Sequence, residues 1–373
     1  MNKQTLINVN KILERDSKSS TYKFALLRSV IDVIQESNPY ITVKEGRAYL
    51  PLGSIIEKWI YYYYPLFSAN LETAQINGGN TQLAISHYLK PVVVFYESRG
   101  GLSALYQDLR KNGIPKSVEN DLWELCKKLK ETITKMPMKY IGYSIYKEHY
   151  QIFNFAPTRV PSNFEMINSL LLTQSFGQFS IPIDFYEVFE FMGGFISGSN
   201  SIIFKWADYS VKQIEGVKYE NIVEQLTKSP VLERSVYEST NYFKKLVAEN
   251  QSLECVWSGK LITESAENNI DHLIPYTVWH NNDLWNLLPT HKTTNSKKSD
   301  KIPGSQLIIK RKDVVISYWE LLQKEFTNTF NNELEMSILG AKPTVNWQNE
   351  SIRRLVKTSD YLINERGFDS FSI

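Results

Sequence analysis

Five polar residues between positions 271 and 298 are of types that could together hydrolyse a phosphate ester. Asp271 and His272 are adjacent at the end of a strand-like run; Asn286 follows Asp271 by fifteen residues, Asn295 comes nine later and Lys298 three later again. Carboxylate and amide oxygens are ligands that Mg²⁺ prefers. An imidazole with a pKa near ~6.5 is partly neutral and can take a proton from water. The pattern therefore predicts metal-assisted hydrolysis by an activated water.

The same residues lie in a segment, Cys255 to Pro303, that resembles the HNH nuclease family. That family's motif is Asp-His, then Asn, then His or Asn, carried on two strands and a helix around one metal. The segment is most similar to the HNN variant, as in the HNH domain of RNA-guided CRISPR nucleases, where asparagine replaces the last histidine and Lys-Ser-Asp follows before a proline. No stretch resembles the other nuclease domain or the arginine-rich helix of those enzymes. The resemblance therefore implies a DNA endonuclease that leaves 5′-phosphate and 3′-hydroxyl ends, without RNA guidance.

The resemblance also implies a role for each residue of the motif. His272 would be the general base, and Asp271 and Asn295 would bind the metal. Asn286 would hold the loop between strand and helix so that the His272 imidazole is correctly aimed. Lys298 would contact the scissile phosphate or a neighbouring one.

The helix of the motif is expected to begin with Thr290 as its N-cap. His291, Asn295 and Lys298 then fall at positions i, i+4 and i+7 and share the face that looks at the metal. His291 has two interpretations, because it is either a remnant of a metal-binding position or an additional metal or phosphate contact.

Many HNH proteins carry two CxxC pairs that bind a structural Zn²⁺. The corresponding positions are Cys255, Ser258, His291 and Thr294. Serine and threonine are poor zinc ligands beside thiolate and imidazole, so we expect no structural Zn²⁺. The expected cofactor is Mg²⁺, for which Mn²⁺ can substitute.

A basic stretch follows the motif and contains one acid, Asp300. Besides Lys298, its cationic residues are Lys292, Lys297, Lys301, Lys310, Arg311 and Lys312. Such clustering is typical either of a solvated polar face or of a surface that binds the DNA backbone. The neighbouring nuclease motif favours the DNA backbone.

Length and composition indicate how many folded units surround this motif and in which compartment they fold. A chain of 373 residues with 42 basic and 40 acidic side chains is expected to fold into two or three units. The two cysteines, Cys126 and Cys255, provide no disulfide framework, which indicates a reducing cytoplasm. No signal-type N-terminus, membrane-spanning run or phosphate-binding loop is recognisable, so we expect neither membrane insertion nor an ATP site.

The expected fold class is α+β, with a mostly helical N-terminal region, a ββα-metal nuclease module and C-terminal helices. The boundaries predicted from the sequence are 1–228, a connecting helix at 229–250, the module at 251–312 and helices at 313–373. Three apolar runs, KYIGYSIY, QIFNF and VVVFYE, are expected to form strands. The aromatic run WIYYYYPLF could stack on bases, but its helical spacing favours a buried core.

Two other functions fit the same motif. The module could be a catalytically silent platform in a DNA-binding or assembly protein, or it could cleave RNA. Modular HNH proteins often act in restriction or anti-phage defence, so a homodimer or a partner protein from a defence system is expected beside DNA.

Overall fold

The computed structural model describes residues 3–16, 20–71, 82–142, 152–197, 202–231, 236–249 and 252–373. The chain divides into two compact units, Met1–Pro230 and Val231–Ile373. Both mix helices with small sheets, so the fold is of the α+β kind. In the described ranges, no helix is both long and apolar enough to cross a membrane.

The first unit is mainly helical. Its helices are α1 Lys3–Arg15, α2 Tyr22–Gln35, α3 Leu52–Ser68, α4 Ser86–Glu97, α5 Gly101–Gln107, α6 Lys116–Lys135, α7 Pro137–Tyr140, α8 Ser169–Ser175, α9 Ile183–Ser197, α10 Ile202–Val211 and α11 Tyr219–Thr227, with a π-helical turn at Asp108–Asn112. Its strands are β1 Thr42–Lys44, β2 Arg47–Pro51, β3 Asn154–Phe155 and β4 Gln178–Pro182. They form one antiparallel sheet in the order β1-β2-β4-β3.

Helix α3 lies in the core of this unit and carries the aromatic run. Trp59 and Tyr63 are almost completely buried, and the Trp59 ring stacks on Tyr22 with 5.5 Å between ring centroids. A helix that is apolar on most of its faces is buried on most of them. The aromatic run is therefore core, and it offers no exposed stacking surface for bases.

The strand prediction for VVVFYE was wrong, and that for KYIGYSIY was wrong over its first four residues. The run VVVFYE lies in α4, where Leu89, Val92, Val93 and Tyr96 are buried at helical spacing against α6. Of KYIGYSIY, Lys139 and Tyr140 belong to α7, Ile141 and Gly142 lie in a turn, and residues 143–146 lie outside the described residues. Short apolar runs fit either state, and neighbouring elements decide between them. Among the described residues of QIFNF, Asn154–Phe155 form β3, which pairs with β4.

The second unit alternates short strands with helices. Its elements are α12 Tyr237–Ala248, β5 Leu253–Glu254, β6 Leu261–Ile262, β7 Asn268–His272, α13 Tyr276–Trp279, β8 Leu287–His291, α14 Lys292–Lys298, β9 Ile302–Pro303, α15 Ser305–Glu325, α16 Thr327–Leu334, α17 Trp347–Asp360 and β10 Ser370–Phe371. A 3-10 turn covers Leu284–Asn286, and π-helical turns cover Glu335–Leu339 and Tyr361–Glu365. The pairs β5-β6 and β7-β8 are antiparallel, and β9-β10 is parallel.

Two antiparallel strands and a helix, β7, β8 and α14, form the centre of this unit. Helix α14 packs on both strands, and α12 packs on them as well. Two helix starts differ from the sequence-based expectation. Thr290 pairs within β8, and His291 is the N-cap of α14 instead. The helix predicted from Ser229 begins only at Tyr237.

Candidate active site

Asp271 lies near the end of β7 and is only 3% exposed. Its Oδ2 accepts a hydrogen bond of 2.9 Å from the Trp257 indole nitrogen and lies 3.1 Å from the Lys298 ammonium nitrogen. A buried charge is costly unless it is paired and hydrogen-bonded. The carboxylate is therefore held in one orientation by two donors from different parts of the module.

Lys298, in the last turn of α14, is completely buried. Its Nζ donates to the Asp271 carboxylate and, at 2.8 Å, to the backbone carbonyl oxygen of His272. The lysine expected to contact a phosphate is thus turned inward, towards Asp271 and His272. These contacts bring the end of α14 onto the end of β7.

His272 is 1% exposed, and its Nε2 lies 3.1 Å from the side-chain oxygen of Asn282. Because an amide oxygen only accepts hydrogen bonds, Nε2 is the donor in this pairing. The Tyr276 ring is 5.7 Å from the imidazole, and burial raises the pKa of its hydroxyl. Tyr276 therefore stays a neutral phenol beside the histidine.

Asn286 is fully buried and holds the chain that follows His272. Its side-chain oxygen accepts a hydrogen bond from the Ile274 nitrogen at 2.8 Å, and its Nδ2 donates to the Ile274 carbonyl at 3.0 Å. Its own backbone carbonyl accepts from the nitrogen of Leu273. These contacts fix the start of the loop between β7 and β8.

Asn295 lies one turn before Lys298 on α14 and therefore on the same side of the helix. Its backbone carbonyl accepts a hydrogen bond from Ser299. Within the described residues its partly buried side chain forms no hydrogen bond. The amide oxygen of Asn295 is therefore available to an added ligand.

His291 caps α14. Its Nδ1 accepts from the Thr293 nitrogen at 3.2 Å, and its Nε2 lies 2.7 Å from the Lys260 ammonium. The Glu267 carboxylate is 3.5 Å from Nε2. Both ring nitrogens are therefore occupied by groups of the module itself, a role that neither sequence-based interpretation included.

The positions that correspond to zinc ligands in other HNH proteins form a hydrogen-bonded cluster here. The Thr294 hydroxyl donates to the Ser258 hydroxyl at 3.2 Å, and the Cys255 sulfur accepts from the Ser258 nitrogen at 3.5 Å. These contacts connect the turn after β5 to α14.

The basic stretch divides into two kinds of residue. Five lysines are exposed and form no ion pair with any described residue: Lys292, Lys297, Lys301, Lys310 and Lys312. Arg311 differs, because it pairs with Glu254 and donates to the carbonyl oxygens of Cys255 and Val256. Its guanidinium therefore holds the turn that carries Trp257, and the lysines supply the uncompensated positive charge.

The donor set is compatible with Mg²⁺ but not with a cage built by the protein alone. No three His, Cys, Asp or Glu side chains in the described ranges lie together as a metal-binding group. Mg²⁺ typically binds through one or two carboxylates, keeps several waters and takes the remaining ligands from substrate phosphates. One carboxylate, Asp271, and one amide oxygen, Asn295, meet that requirement.

Two residues in contact with the motif were missed by the sequence analysis. Neither Trp257 nor Asn282 received a role there. The pattern contained no signal for Asn282. For Trp257, the available signal was its place between Cys255 and Ser258, two positions that correspond to zinc ligands in other HNH proteins.

Two family models match parts of the chain. A family model described as HNH endonuclease matches residues 255–304, which include all the residues of the motif. The second unit thus contains a domain of the HNH nuclease class. The chain as a whole belongs to the family of the domain of unknown function DUF8808, whose model matches residues 2–226. No curated protein and no solved structure matches the chain.

Proposed function

We propose that the protein is a metal-dependent DNA endonuclease that hydrolyses phosphodiester bonds to 5′-phosphate and 3′-hydroxyl ends. One observation carries the proposal. Lys298 donates both to the Asp271 carboxylate and to the backbone carbonyl of His272, so the end of α14 lies against the Asp-His pair inside the segment matched by the HNH endonuclease model.

His272 is the general base. Donation from its Nε2 to Asn282 leaves Nδ1 as the proton acceptor, which is the form that can deprotonate a water for in-line attack on phosphorus. Asn286 positions this base indirectly, by fixing the two residues that follow it.

Asp271 and Asn295 would hold Mg²⁺ or Mn²⁺. When bound, the cation would neutralise charge on the phosphate and on the leaving 3′ oxygen. Lys298 would hold the Asp271 carboxylate in position through their buried ion pair rather than contact a phosphate. His291 supports the site as the cap of α14 rather than as a ligand.

The exposed lysines would bind the DNA backbone through its phosphates. The first unit would recognise the target or a partner protein in restriction or anti-phage defence. A single site of this kind cuts one strand, so double-strand cleavage would require a homodimer.

The test is cleavage of supercoiled plasmid by the full chain with Mg²⁺ or Mn²⁺. His272→Ala should lose at least about 100-fold in rate, the lower range for a general base. His87→Ala, at an exposed position of the first unit, should cut at the wild-type rate.

Three results would contradict the proposal. Equal cleavage by His272→Ala would remove the base assignment. Wild-type protein that binds DNA but never cuts would favour the silent platform, and preferential cleavage of RNA would favour a ribonuclease.

A further inference from the structure

A groove of about 520 Å³ lies beside α14, on a side adjacent to the one that carries Asn295 and Lys298. Thr294, Lys297 and Lys301 line it from the helix and the turn after it. Ser258 lines it from the turn after β5 and is hydrogen-bonded to Thr294. The groove is therefore built on the same helix as the candidate active site.

The opposite wall comes from a part of the chain outside the HNH match. Strand β10 pairs with β9, and the nitrogen of Gly304 donates to the carbonyl of Phe371 at 3.0 Å. This pairing places Ser370 and Ser372 in the groove, although the matched segment ends at residue 304. The groove is thus a feature that this chain adds to the nuclease domain.

The chemistry of the lining favours an anion. Lys297 and Lys301 are exposed and have no ion-pair partner among the described residues. The hydroxyls of Ser258, Ser370 and Ser372 can donate to oxygen acceptors. Lysine ammonium and serine hydroxyl groups are common partners of nucleic-acid phosphates.

The position of the groove favours a phosphate next to the cleaved one. Lys297 precedes Lys298 by one residue, a rotation of about 100° around a helix of 3.6 residues per turn. The groove and the catalytic side are thus neighbouring sides of α14. Phosphates of one strand follow each other at about 3.4 Å along the duplex axis. A strand in the active site would therefore reach the groove within a few nucleotides.

We infer that this groove binds a non-scissile phosphate of the nucleic-acid strand being cut, through Lys297, Lys301 and the serine hydroxyls of β10. This binding role rests on the proposed function and adds the surface along which the cut strand would lie. It assigns the C-terminal strand a direct part in binding the substrate.

The test uses the full chain carrying His272→Ala, so that binding is measured without cleavage. A short fluorescein-labelled DNA duplex is titrated at several salt concentrations and followed by anisotropy. Lys297→Ala with Lys301→Ala should weaken binding about tenfold and reduce the salt slope by about 1 to 2, as expected for two lost phosphate contacts. Lys324→Ala with Lys357→Ala removes two exposed lysines elsewhere in the second unit and should change neither quantity.

Ser372→Glu is the second variant, because it adds a negative charge to the groove and leaves both lysines in place. It should weaken binding in the same direction, and its thermal unfolding midpoint should match that of the parent. Inorganic phosphate and mononucleotides serve as competitors, and neither should displace the duplex at equal phosphate concentration.

Unchanged affinity and salt slope in both groove variants would overturn the inference. The nuclease proposal would stand in that case if the wild type still cleaves plasmid. Displacement by inorganic phosphate at equal concentration would also overturn it, since the groove would then be a site for free phosphate. Absence of both cleavage and binding in the wild type would instead remove the proposed function.

Discussion

The ammonium nitrogen of Lys298 lies 3.1 Å from a carboxylate oxygen of Asp271, and both side chains are buried. An ion pair in such a place stabilises little by itself, because desolvation offsets the attraction, but breaking it leaves a buried charge without compensation. The Asp271 carboxylate therefore needs a positive charge beside it. Lys298 supplies that charge, and a bound divalent cation would contribute to it.

Lys298→Met should reveal this arrangement through metal-dependent stability. Without a divalent cation the variant should lose about 3 to 5 kcal/mol, the usual cost of breaking a buried pair from one side. Added Mg²⁺ should raise its unfolding midpoint more than that of the wild type, because a cation that binds only the folded state stabilises it. Calorimetry with and without Mg²⁺ measures both effects.

The matched control is Lys292→Met, at the exposed first residue of the same helix. Its midpoint and its response to Mg²⁺ should equal those of the wild type. An equal Mg²⁺ response in Lys298→Met and the wild type would mean that the cation does not bind beside Lys298.

Trp257→Phe tests the second donor to Asp271. The substitution keeps the apolar ring and removes the indole nitrogen that donates to Oδ2 at 2.9 Å. Loss of a hydrogen bond to a charged group costs about 1.5 to 3 kcal/mol. We expect about a tenfold fall in kcat, with little change in KM, from steady-state cleavage.

Trp279→Phe is the control for that change, because its indole nitrogen has no hydrogen-bond partner among the described residues. It should leave kcat unchanged. If both tryptophan variants slow cleavage equally, ring packing rather than the Asp271 contact is responsible.

Asn282 is predicted to select the working tautomer of His272. Asn282→Ala removes the acceptor for Nε2, so kcat should fall about tenfold while KM stays constant, as expected for a residue that acts through the base. Asn282→Asp keeps an acceptor at the same place and should restore most of the rate. An aspartate variant as slow as the alanine variant would show that the contact is not what orients the imidazole.

The nuclease-like segment could be located from the sequence because the family motif has a fixed spacing, and the HNH endonuclease model matches the same segment. The family resemblance also implied two strands and a helix at this motif, and the structure has β7, β8 and α14 there. The contacts of Asn282 depend on the path of the loop between β7 and β8, which no periodicity encodes.

Element type was harder where apolar runs were short. The run VVVFYE is rich in β-branched residues and predicts a strand, yet α4 buries it on one face against α6. Tertiary packing overrides local propensity in such a segment. The inward direction of Lys298 was likewise not predictable, because it depends on how α14 lies on β7.

Replacement by alanine should destabilise the protein at Asn286 but not at Asn295, although both residues belong to the same motif. Asn286 is fully buried with three side-chain hydrogen bonds, so Asn286→Ala leaves the Ile274 nitrogen without its partner and should cost about 1 to 3 kcal/mol in the free energy of unfolding. Asn295→Ala removes no side-chain hydrogen bond with a described residue and should change stability by less than about 0.5 kcal/mol. Urea unfolding measures this difference.

Plasmid cleavage provides a second test of Asn295. Asn295→Ala should lose plasmid cleavage despite its normal stability, because its amide oxygen is a proposed ligand of the cation. Asn295→Asp restores an oxygen ligand and should recover cleavage, most clearly with Mn²⁺. A stable Asn295→Ala protein that cuts at the wild-type rate would exclude this side chain from the metal site and leave Asp271 as the one proposed protein ligand.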